Sequence, residues 1–280
     1  MELPIDHRRK IGAFALVAAL CVAITGARAF DESKYPDWKG KWERVGSPRW
    51  VPPGQKAPLT PEYQKIFDET TAEQHAGGHG WETSWMCLPP GMPRIMNAYE
   101  PMEIVVTPAT THIFISHIHD NRRIYTDGRD WPKELEPSYK GYSIGHWLDT
   151  DGDGRYDTLE VETRGMKGQR SYDTSGLPLH ADNETVVKER IYIDKDNKNL
   201  LWNEITTIDH ALTKPWTVKK KYERDPTVKN WNWIEEVCSE NNPHIRIGKN
   251  NYMLSADGLL MPAHKGQEPP DLKYFKRSRN

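Results

Sequence analysis

The most specific pattern in the sequence is an acidic stretch of twelve residues, Asp149–Glu160, which reads D-T-D-G-D-G-R-Y-D-T-L-E. It matches every fixed position of the calcium-loop pattern D-x-[DN]-x-[DN]-G-x5-E. Calcium is a hard cation that takes about six to eight oxygen ligands, which such a loop supplies from carboxylates, a backbone carbonyl and a final two-oxygen Glu. The sequence therefore predicts a Ca²⁺ site whose ligand positions are Asp149, Asp151, Asp153, Arg155 (through its carbonyl), Asp157 and Glu160.

The residues on either side of this loop favour strands rather than the helices of a helix-loop-helix hand. Period-two alternation occupies 143–148 and 158–163, so we expect the loop at the tip of a β-hairpin, with a structural rather than catalytic ion. The alternative is a solvated acidic turn that uses Asp and Gly only for their turn geometry. Four Asp side chains within nine residues repel one another without a cation, which favours calcium.

Histidines and arginines form a second candidate site within residues 111–129. On a strand, His117 and His119 point to the same face, and Arg122 and Arg123 follow across the next turn. A His-x-His pair on one face suits acid/base chemistry or a metal ion. We expect a cavity acid/base site, whose candidate catalytic residues are His119, Arg122, Arg123 and His180.

Two other interpretations of this cluster stay open. In the first, these are ordinary strand residues that face solvent, with the Arg side chains paired to carboxylates. In the second, the histidines bind a transition metal. Further histidines available to such a site are His75, His79, His146 and His180, the last of which stands close to Asp182.

Several function classes have no support in the sequence. The chain of 280 residues has a net charge of -2, so it lacks the basic footprint of a nucleic-acid-binding protein. It contains no H-E-x-x-H, Walker or G-x-G-x-x-G pattern, which disfavours zincin, nucleotide and dinucleotide chemistry. Its 36% hydrophobic and 10% aromatic residues suit a globular protein with a real core.

The first 29 residues are typical of a secretory signal peptide. A basic segment at 7–10 precedes an apolar run at 11–25, and Ala27-Arg28-Ala29 forms an A-x-A cleavage pattern. The run is shorter than the roughly 20 residues that span a bilayer, which disfavours the alternative of an uncleaved anchor. We therefore expect a periplasmic or secreted protein with no membrane span in the mature chain.

Export leaves Cys87 and Cys238 as the cysteines of the mature chain, because Cys21 lies in the signal peptide. Two cysteines in an oxidising compartment favour a disulfide. The alternative is a Cys-His metal site or a catalytic thiol.

Strands are the main elements expected to position these residues. Thr60-Pro61-Glu62 predicts one short helix, from Pro61 to about Gln74, between Pro-rich links. A strand is expected at 40–45, and runs of alternation follow at 102–107, 111–117, 122–126, 143–148, 158–163, 185–194, 200–208, 216–222 and 231–237. We predict a mainly β fold, an antiparallel meander that forms a lipocalin-like barrel in a single domain, residues 30–280. The tail from Gly266 is expected to be an extended surface segment.

Three segments carry specific motifs: 87–94 reads C-L-P-P-G-M-P-R, 122–129 reads R-R-I-Y-T-D-G-R, and 213–218 reads T-K-P-W-T-V. Together they resemble a large family of exported bacterial β-rich proteins of unassigned function. The resemblance spans most of the mature chain and implies that His119, Arg122, Arg123 and His180 are shared with the family. It does not indicate which reaction, if any, the family performs. Members of the family usually have a short hairpin at the position where residues 149–156 form a longer loop here. A loop that the general pattern lacks is not expected to be a shared active site, which favours a structural role for the ion.

Two functions are compatible with the sequence. The first is an exported cavity enzyme, a cofactor-independent lyase, isomerase or hydratase that moves protons on a small hydrophobic or aromatic substrate. The second is a non-catalytic periplasmic carrier of an apolar ligand. Polar groups that converge in a cavity favour the enzyme, and a purely aromatic interior favours the carrier. The oligomeric state is not indicated by the sequence.

Overall fold

A computed structural model of the chain describes residues 30–116, 120–233, 237–238, 244–247 and 250–270. The chain divides into two compact units, residues 1–34 and 35–280. The described part of the first unit is residues 30–34, which contain a 3₁₀ turn at Glu32–Lys34. The predicted signal peptide, residues 1–29, lies outside the described residues.

One α-helix, α1 (Pro61–His75), precedes most of the strands. Thr60 is its N-cap and accepts a hydrogen bond from the Tyr63 amide at 3.4 Å. Pro61 occupies the first turn, where its missing N–H costs nothing, and Glu62 complements the helix dipole there. The predicted helix is confirmed, and it ends within one residue of the expected position.

Within the described residues, nine strands close into a barrel in sequence order. They are β1 (Lys41–Arg44), β2 (Met102–Val106), β3 (Thr110–Ile115), β4 (Asp120–Tyr125), β5 (Tyr142–Leu148), β6 (Thr158–Arg164), β7 (Val186–Ile193), β8 (Leu200–Ile208) and β9 (Trp216–Arg224). Trp42 of β1 lies opposite both Met102 of β2 and Arg224 of β9, which closes the barrel. The predicted mainly β, lipocalin-like barrel with one short helix is confirmed.

One strand pair departs from the predicted meander. β4 and β5 run parallel, with Ile124 opposite Ser143 and Tyr125 opposite Ile144, whereas the other neighbouring pairs of the barrel are antiparallel. A parallel neighbour requires a connection that carries the chain back to the end where the first strand began. Residues 126–141 make this return, and Ser138 forms a bridge with Met166 on the way.

The last predicted strand, 231–237, is wrong in its described part. Residues 231–233 and 237 have no strand structure, and 234–236 lie outside the described residues. The edge of β9 that this segment would have joined is already paired with β1, because Glu43 lies opposite Glu223.

A small antiparallel sheet follows the barrel and was not predicted. It consists of β10 (His244–Ile247), β11 (Asn250–Leu254) and β12 (Leu260–Pro262). Its strands are short, and their alternation is weak because polar residues such as Asn251 interrupt it. The predicted extended tail is confirmed only for residues 266–270, which contain no strand or helix, and residues 271–280 lie outside the described chain.

Large side chains fill the barrel and its surroundings. Trp38, Trp42 and Trp50 are buried together with Met92 and Met102 in one continuous hydrophobic core. A barrel of this strand number is narrow enough for side chains to fill its interior. The space available to a ligand therefore has to be sought beside the packed core.

Candidate functional site

Arg122, one of the predicted catalytic residues, lies inside the barrel and is only 1% exposed. Its guanidinium donates to both carboxylate oxygens of Glu189, with 2.9 Å between Nη1 and Oε1. The hydroxyl of Thr163 accepts from Nη2 at 3.1 Å, and Asn203 donates to Glu189 Oε1 at 2.8 Å. This paired and buried guanidinium organises the core of the barrel.

The other predicted catalytic residues do not join Arg122. Arg123 follows it in the strand and therefore points to the opposite, outer face, where it is exposed. His180 lies half-buried in a loop, with its ring tilted against that of Tyr63 at 5.4 Å between centroids. His119 lies outside the described residues, so its place in a shared site stays a prediction.

Residues 141–145 spell G-x-S-x-G, the pattern of the nucleophile elbow in hydrolases. That elbow requires a sharp turn between a strand and a helix, which exposes the Ser hydroxyl. Here Ser143 lies within β5, is 2% exposed, and shares a hydrogen bond with Thr163 at 2.8 Å. The pattern therefore gives no nucleophile in this fold.

A cavity of about 790 Å³ lies beside the barrel. Loops that are distant in sequence build it: the segment after α1, the link at 87–95, the end of β3, and residues near 139 and 167. Its apolar lining includes Leu88, Pro89, Pro90, Ile95, Ile115 and Tyr139. Its charged and polar lining includes His79, Glu82, Arg94, Tyr99, Lys140 and Lys167.

The predicted disulfide between Cys87 and Cys238 is confirmed, and both residues line this cavity. Their Cα atoms are 5.6 Å apart and 151 positions separate them in sequence. The bond therefore ties the link between β1 and β2 to the segment after β9, beside the cavity. Since disulfides persist in oxidising compartments, it indicates such a compartment for this protein.

A buried ion pair stands in the cavity wall and was missed at the sequence level. Arg94 is 4% exposed, and its Nη1 contacts Glu82 and donates to Ser171 at 2.9 Å. Within the described residues, Nε of Arg94 has no hydrogen-bond partner. The only sequence signal was the place of Arg94 at the end of the C-L-P-P-G-M-P-R motif, since Glu82 lies in no recognisable pattern.

His79 forms an aromatic group with Trp85 and His244 at the cavity. Its ring stacks on Trp85 with 4.1 Å between centroids, and its Nε2 lies 3.0 Å from Nδ1 of His244. Burial, and then the nearby His244, lower the pKa of His79 to about 4. The imidazole is therefore neutral at neutral pH.

The acidic loop lies at the tip of the β5–β6 hairpin, as predicted, because Leu148 pairs with Thr158. Oxygen atoms of Asp149, Asp151 and Asp153 lie within 4.8 Å of one another on the surface. Both oxygens of Asp149 accept backbone amides, from Gly152 at 2.7 Å and from Gly154 at 2.9 Å. These amides hold the loop in a curve around the three carboxylates.

The remaining predicted calcium ligands are placed differently. Asp157 accepts from the amide and the hydroxyl of Thr150, at 2.9 and 2.7 Å. Its other oxygen is buried without a hydrogen-bond partner in the described chain. Glu160 is exposed on β6 opposite His146, and Arg155 donates its amide to Asp153 at 2.8 Å.

Fold and cavity together define the class as a closed, mainly β barrel protein with a disulfide-bordered cavity beside the barrel. No helix in the described residues has the length and apolar character that crossing a bilayer requires. The chain matches no protein-family model, and a search of curated proteins finds none with significant similarity. The resemblance to exported bacterial proteins therefore stays a prediction from the motifs.

Proposed function

We propose that the protein is an exported binding protein that holds a small hydrophobic or aromatic ligand with an anionic group. The observation that carries this proposal is the cavity of about 790 Å³, which lies within the roughly 300–1,000 Å³ range of small-molecule sites. Its walls include aliphatic and aromatic side chains, which bury the apolar body of a ligand.

The charges of the cavity favour an anion. Arg94, Lys140 and Lys167 face it with Glu82 as the single carboxylate among the described lining residues. Glu82 is already engaged by Arg94 and by the Ser84 amide at 3.0 Å. The unpartnered Nε of Arg94 adds a buried donor that a ligand oxygen would satisfy.

Export to the periplasm or the exterior is part of this proposal. The predicted signal peptide and the Cys87–Cys238 bond both support it, since structural disulfides form outside the reducing cytosol.

The test is binding of 1-anilinonaphthalene-8-sulfonate, an aromatic anion, followed by its fluorescence. Leu88→Trp fills the cavity and should abolish saturable binding. Lys167→Glu reverses a charge at the rim and should weaken binding about tenfold, which corresponds to roughly 1.4 kcal/mol. Lys195→Glu, an exposed lysine between β7 and β8, is the matched control. Unchanged affinity in both cavity variants would remove the cavity as the binding site.

An acid/base enzyme is the second candidate, and the place of the His79 imidazole in the cavity wall favours it. In this role His79 accepts a proton from the bound molecule. The histidines predicted from the sequence as catalytic, His119 and His180, are not required. The test compares the masses of molecules that co-purify with the wild-type protein and with His79→Gln. A substrate retained by the variant but converted by the wild-type protein supports the enzyme, and identical ligands support the carrier.

A structural Ca²⁺ ion in the 149–160 loop is also part of the proposal. The donor set suits it, because three clustered carboxylates offer hard oxygen ligands and Asp157 has a buried oxygen without a partner. Asp149, Asp151 and Asp153 would hold the ion, which would neutralise their repulsion at the tip of the hairpin. Proteins outside the cell meet calcium concentrations at which even weak sites are filled.

A further inference from the structure

Two loops, one between β6 and β7 and the other between β8 and β9, bring His180, Asp182 and His210 together. One nitrogen of each ring and one oxygen of Asp182 lie within 4.8 Å of one another. His180 Nδ1 is 3.0 Å from Asp182 Oδ2, and His210 Nδ1 contacts the same oxygen. The two rings stand edge to face, with 5.6 Å between centroids.

A buried network fixes the backbone of both loops. Asp209 is buried, and its Oδ1 accepts the amide of His180 at 3.0 Å and the amide of Ala211 at 2.8 Å. Its Oδ2 accepts the hydroxyl of Thr185 at 2.5 Å. The Asp209 carboxylate therefore holds the backbone of His180 and of Ala211, the residue that follows His210.

Arg170 also holds the loop that carries His180. Its guanidinium, 1% exposed, donates to the carbonyl of His180 at 3.3 Å and to Thr185 Oγ1 at 2.8 Å. Burying charged groups in this way is costly, and it positions the two imidazoles before any ligand arrives. These bonds hold the backbone of the two loops, and Asp182 itself contacts a nitrogen of each ring.

We propose that His180, Asp182 and His210 bind one divalent transition-metal ion, with Zn²⁺ as the representative. Two imidazole nitrogens and a carboxylate oxygen form a mixed nitrogen and oxygen donor set that suits zinc and its neighbours rather than calcium. The 3.0 Å between His180 Nδ1 and Asp182 Oδ2 is close to the edge of a tetrahedron around such an ion. Coordination through His180 Nδ1 replaces the hydrogen bond that this atom accepts from the Asp182 amide at 3.1 Å.

Three protein ligands leave at least one position open to water, because zinc is usually four-coordinate. The cluster contributes none of the residues that line the cavity. The metal site is therefore independent of the proposed ligand-binding function, and either one stands if the other fails.

The experiment is a titration of chelator-treated protein, prepared without a polyhistidine tag, with Zn²⁺ by calorimetry and with Co²⁺ by visible absorption. We expect one ion per chain at this site and Co²⁺ absorption bands that report nitrogen ligands. His210→Ala should weaken Zn²⁺ binding at least about 100-fold. Loss of a residue that only hydrogen-bonds to a metal ligand already lowers metal affinity about 10–100-fold. Asp182→Asn, which preserves the shape of the side chain, should weaken it similarly.

Two controls separate this site from other metal-binding groups. His146→Ala removes an exposed histidine on the outer face of β5 and should leave the titration unchanged. Asp149→Ala removes a carboxylate of the acidic loop and should also leave Zn²⁺ binding unchanged. Because His210 is exposed, its variant should keep the wild-type circular dichroism spectrum. Binding that survives in both His210→Ala and Asp182→Asn, or no stoichiometric binding in the wild-type protein, overturns the proposal.

Discussion

Two buried arginines show how the same residue type serves different ends in this protein. Arg122 is enclosed by Glu189 and by hydroxyls inside the barrel, so its charge is satisfied by the core. Arg94 has a comparable carboxylate in Glu82 but lines the cavity, whereas Arg122 does not. A ligand is therefore expected to meet Arg94 and not Arg122.

The first prediction concerns the core pair. Arg122→Ala leaves the carboxylate of Glu189 buried without its counter-ion, and we expect a loss of about 3–5 kcal/mol in the free energy of unfolding. The double variant Arg122→Met with Glu189→Gln should lose less than the sum of its single variants, because it removes both charges, whereas each single variant leaves its partner's charge unpaired. Unfolding in urea, followed by tryptophan fluorescence, measures both.

Arg123→Ala is the matched control, because it removes the same side chain from the next position of the same strand. Its exposed side chain should contribute within about 0.5 kcal/mol. Equal losses from Arg122→Ala and Arg123→Ala would contradict the interior placement of Arg122.

The second prediction concerns pH. Burial and the proximity of His244 lower the pKa of His79 from 6.5 to about 4, so the unfolded chain binds more protons than the folded protein between these values. The stability that depends on neutral His79 is therefore complete above pH 6.5 and is lost as the pH falls towards 4. His79→Gln should show a smaller decrease in unfolding free energy between pH 7 and pH 4.5 than the wild-type protein.

His146→Gln, which changes an exposed histidine in the same way, serves as the comparison for this pH dependence. It should retain the full wild-type decrease. If the decrease is the same in all three proteins, the buried neutral state of His79 is wrong.

Among the helices and strands, those with a local sequence signal, such as a helix cap or strand alternation, could be predicted. Thr60 and Pro61 mark the start of α1 by capping chemistry that needs no tertiary partner, and alternation marks most barrel strands. The parallel pairing of β4 and β5 could not be predicted, because alternation gives the face of a residue but not the direction of its neighbour. The cavity pair Glu82 and Arg94 was missed because their contact spans two loops with no fixed spacing.

The third prediction concerns the β5–β6 hairpin. Millimolar calcium should raise the melting temperature, and a site that binds only the folded state at 100 times its dissociation constant adds roughly 2.7 kcal/mol. Asp149→Ala with Asp153→Ala should abolish the difference between calcium and chelator, because it removes two clustered carboxylates. The measurement is thermal unfolding of each protein with calcium and with chelator.

This comparison within each protein matters because Asp149 also accepts two backbone amides, so its loss destabilises the hairpin even without an ion. Asp196→Ala, in the acidic turn between β7 and β8, is the matched control and should keep the full response. An identical melting temperature with calcium and chelator in the wild-type protein would rule out a structural ion.

For the whole molecule, the barrel is built from consecutive strands, whereas the cavity is built mainly from loops, with the end of β3 contributing Ile115. Residues from 74 to 238 in sequence contribute to the cavity. The packed interior shows why a lipocalin-like architecture need not carry its ligand inside the barrel, since Trp42, Met102 and the Arg122 pair occupy that space. The binding site depends instead on how the flanking segments are held.

The last prediction concerns the bond that holds them. Thiol titration of the unfolded, unreduced protein should find only Cys21 in the full chain, and no thiol once residues 1–29 are removed. Cys87→Ser with Cys238→Ser should lower the free energy of unfolding by about 2–5 kcal/mol, because a bridge across 151 positions restricts the unfolded chain strongly. Since both cysteines also line the cavity, the double variant should bind the aromatic anion more weakly even under conditions where it is fully folded. Two additional thiols in the unfolded wild-type protein would remove the bridge, and unchanged anion binding in the folded variant would show that the cavity keeps its shape without it.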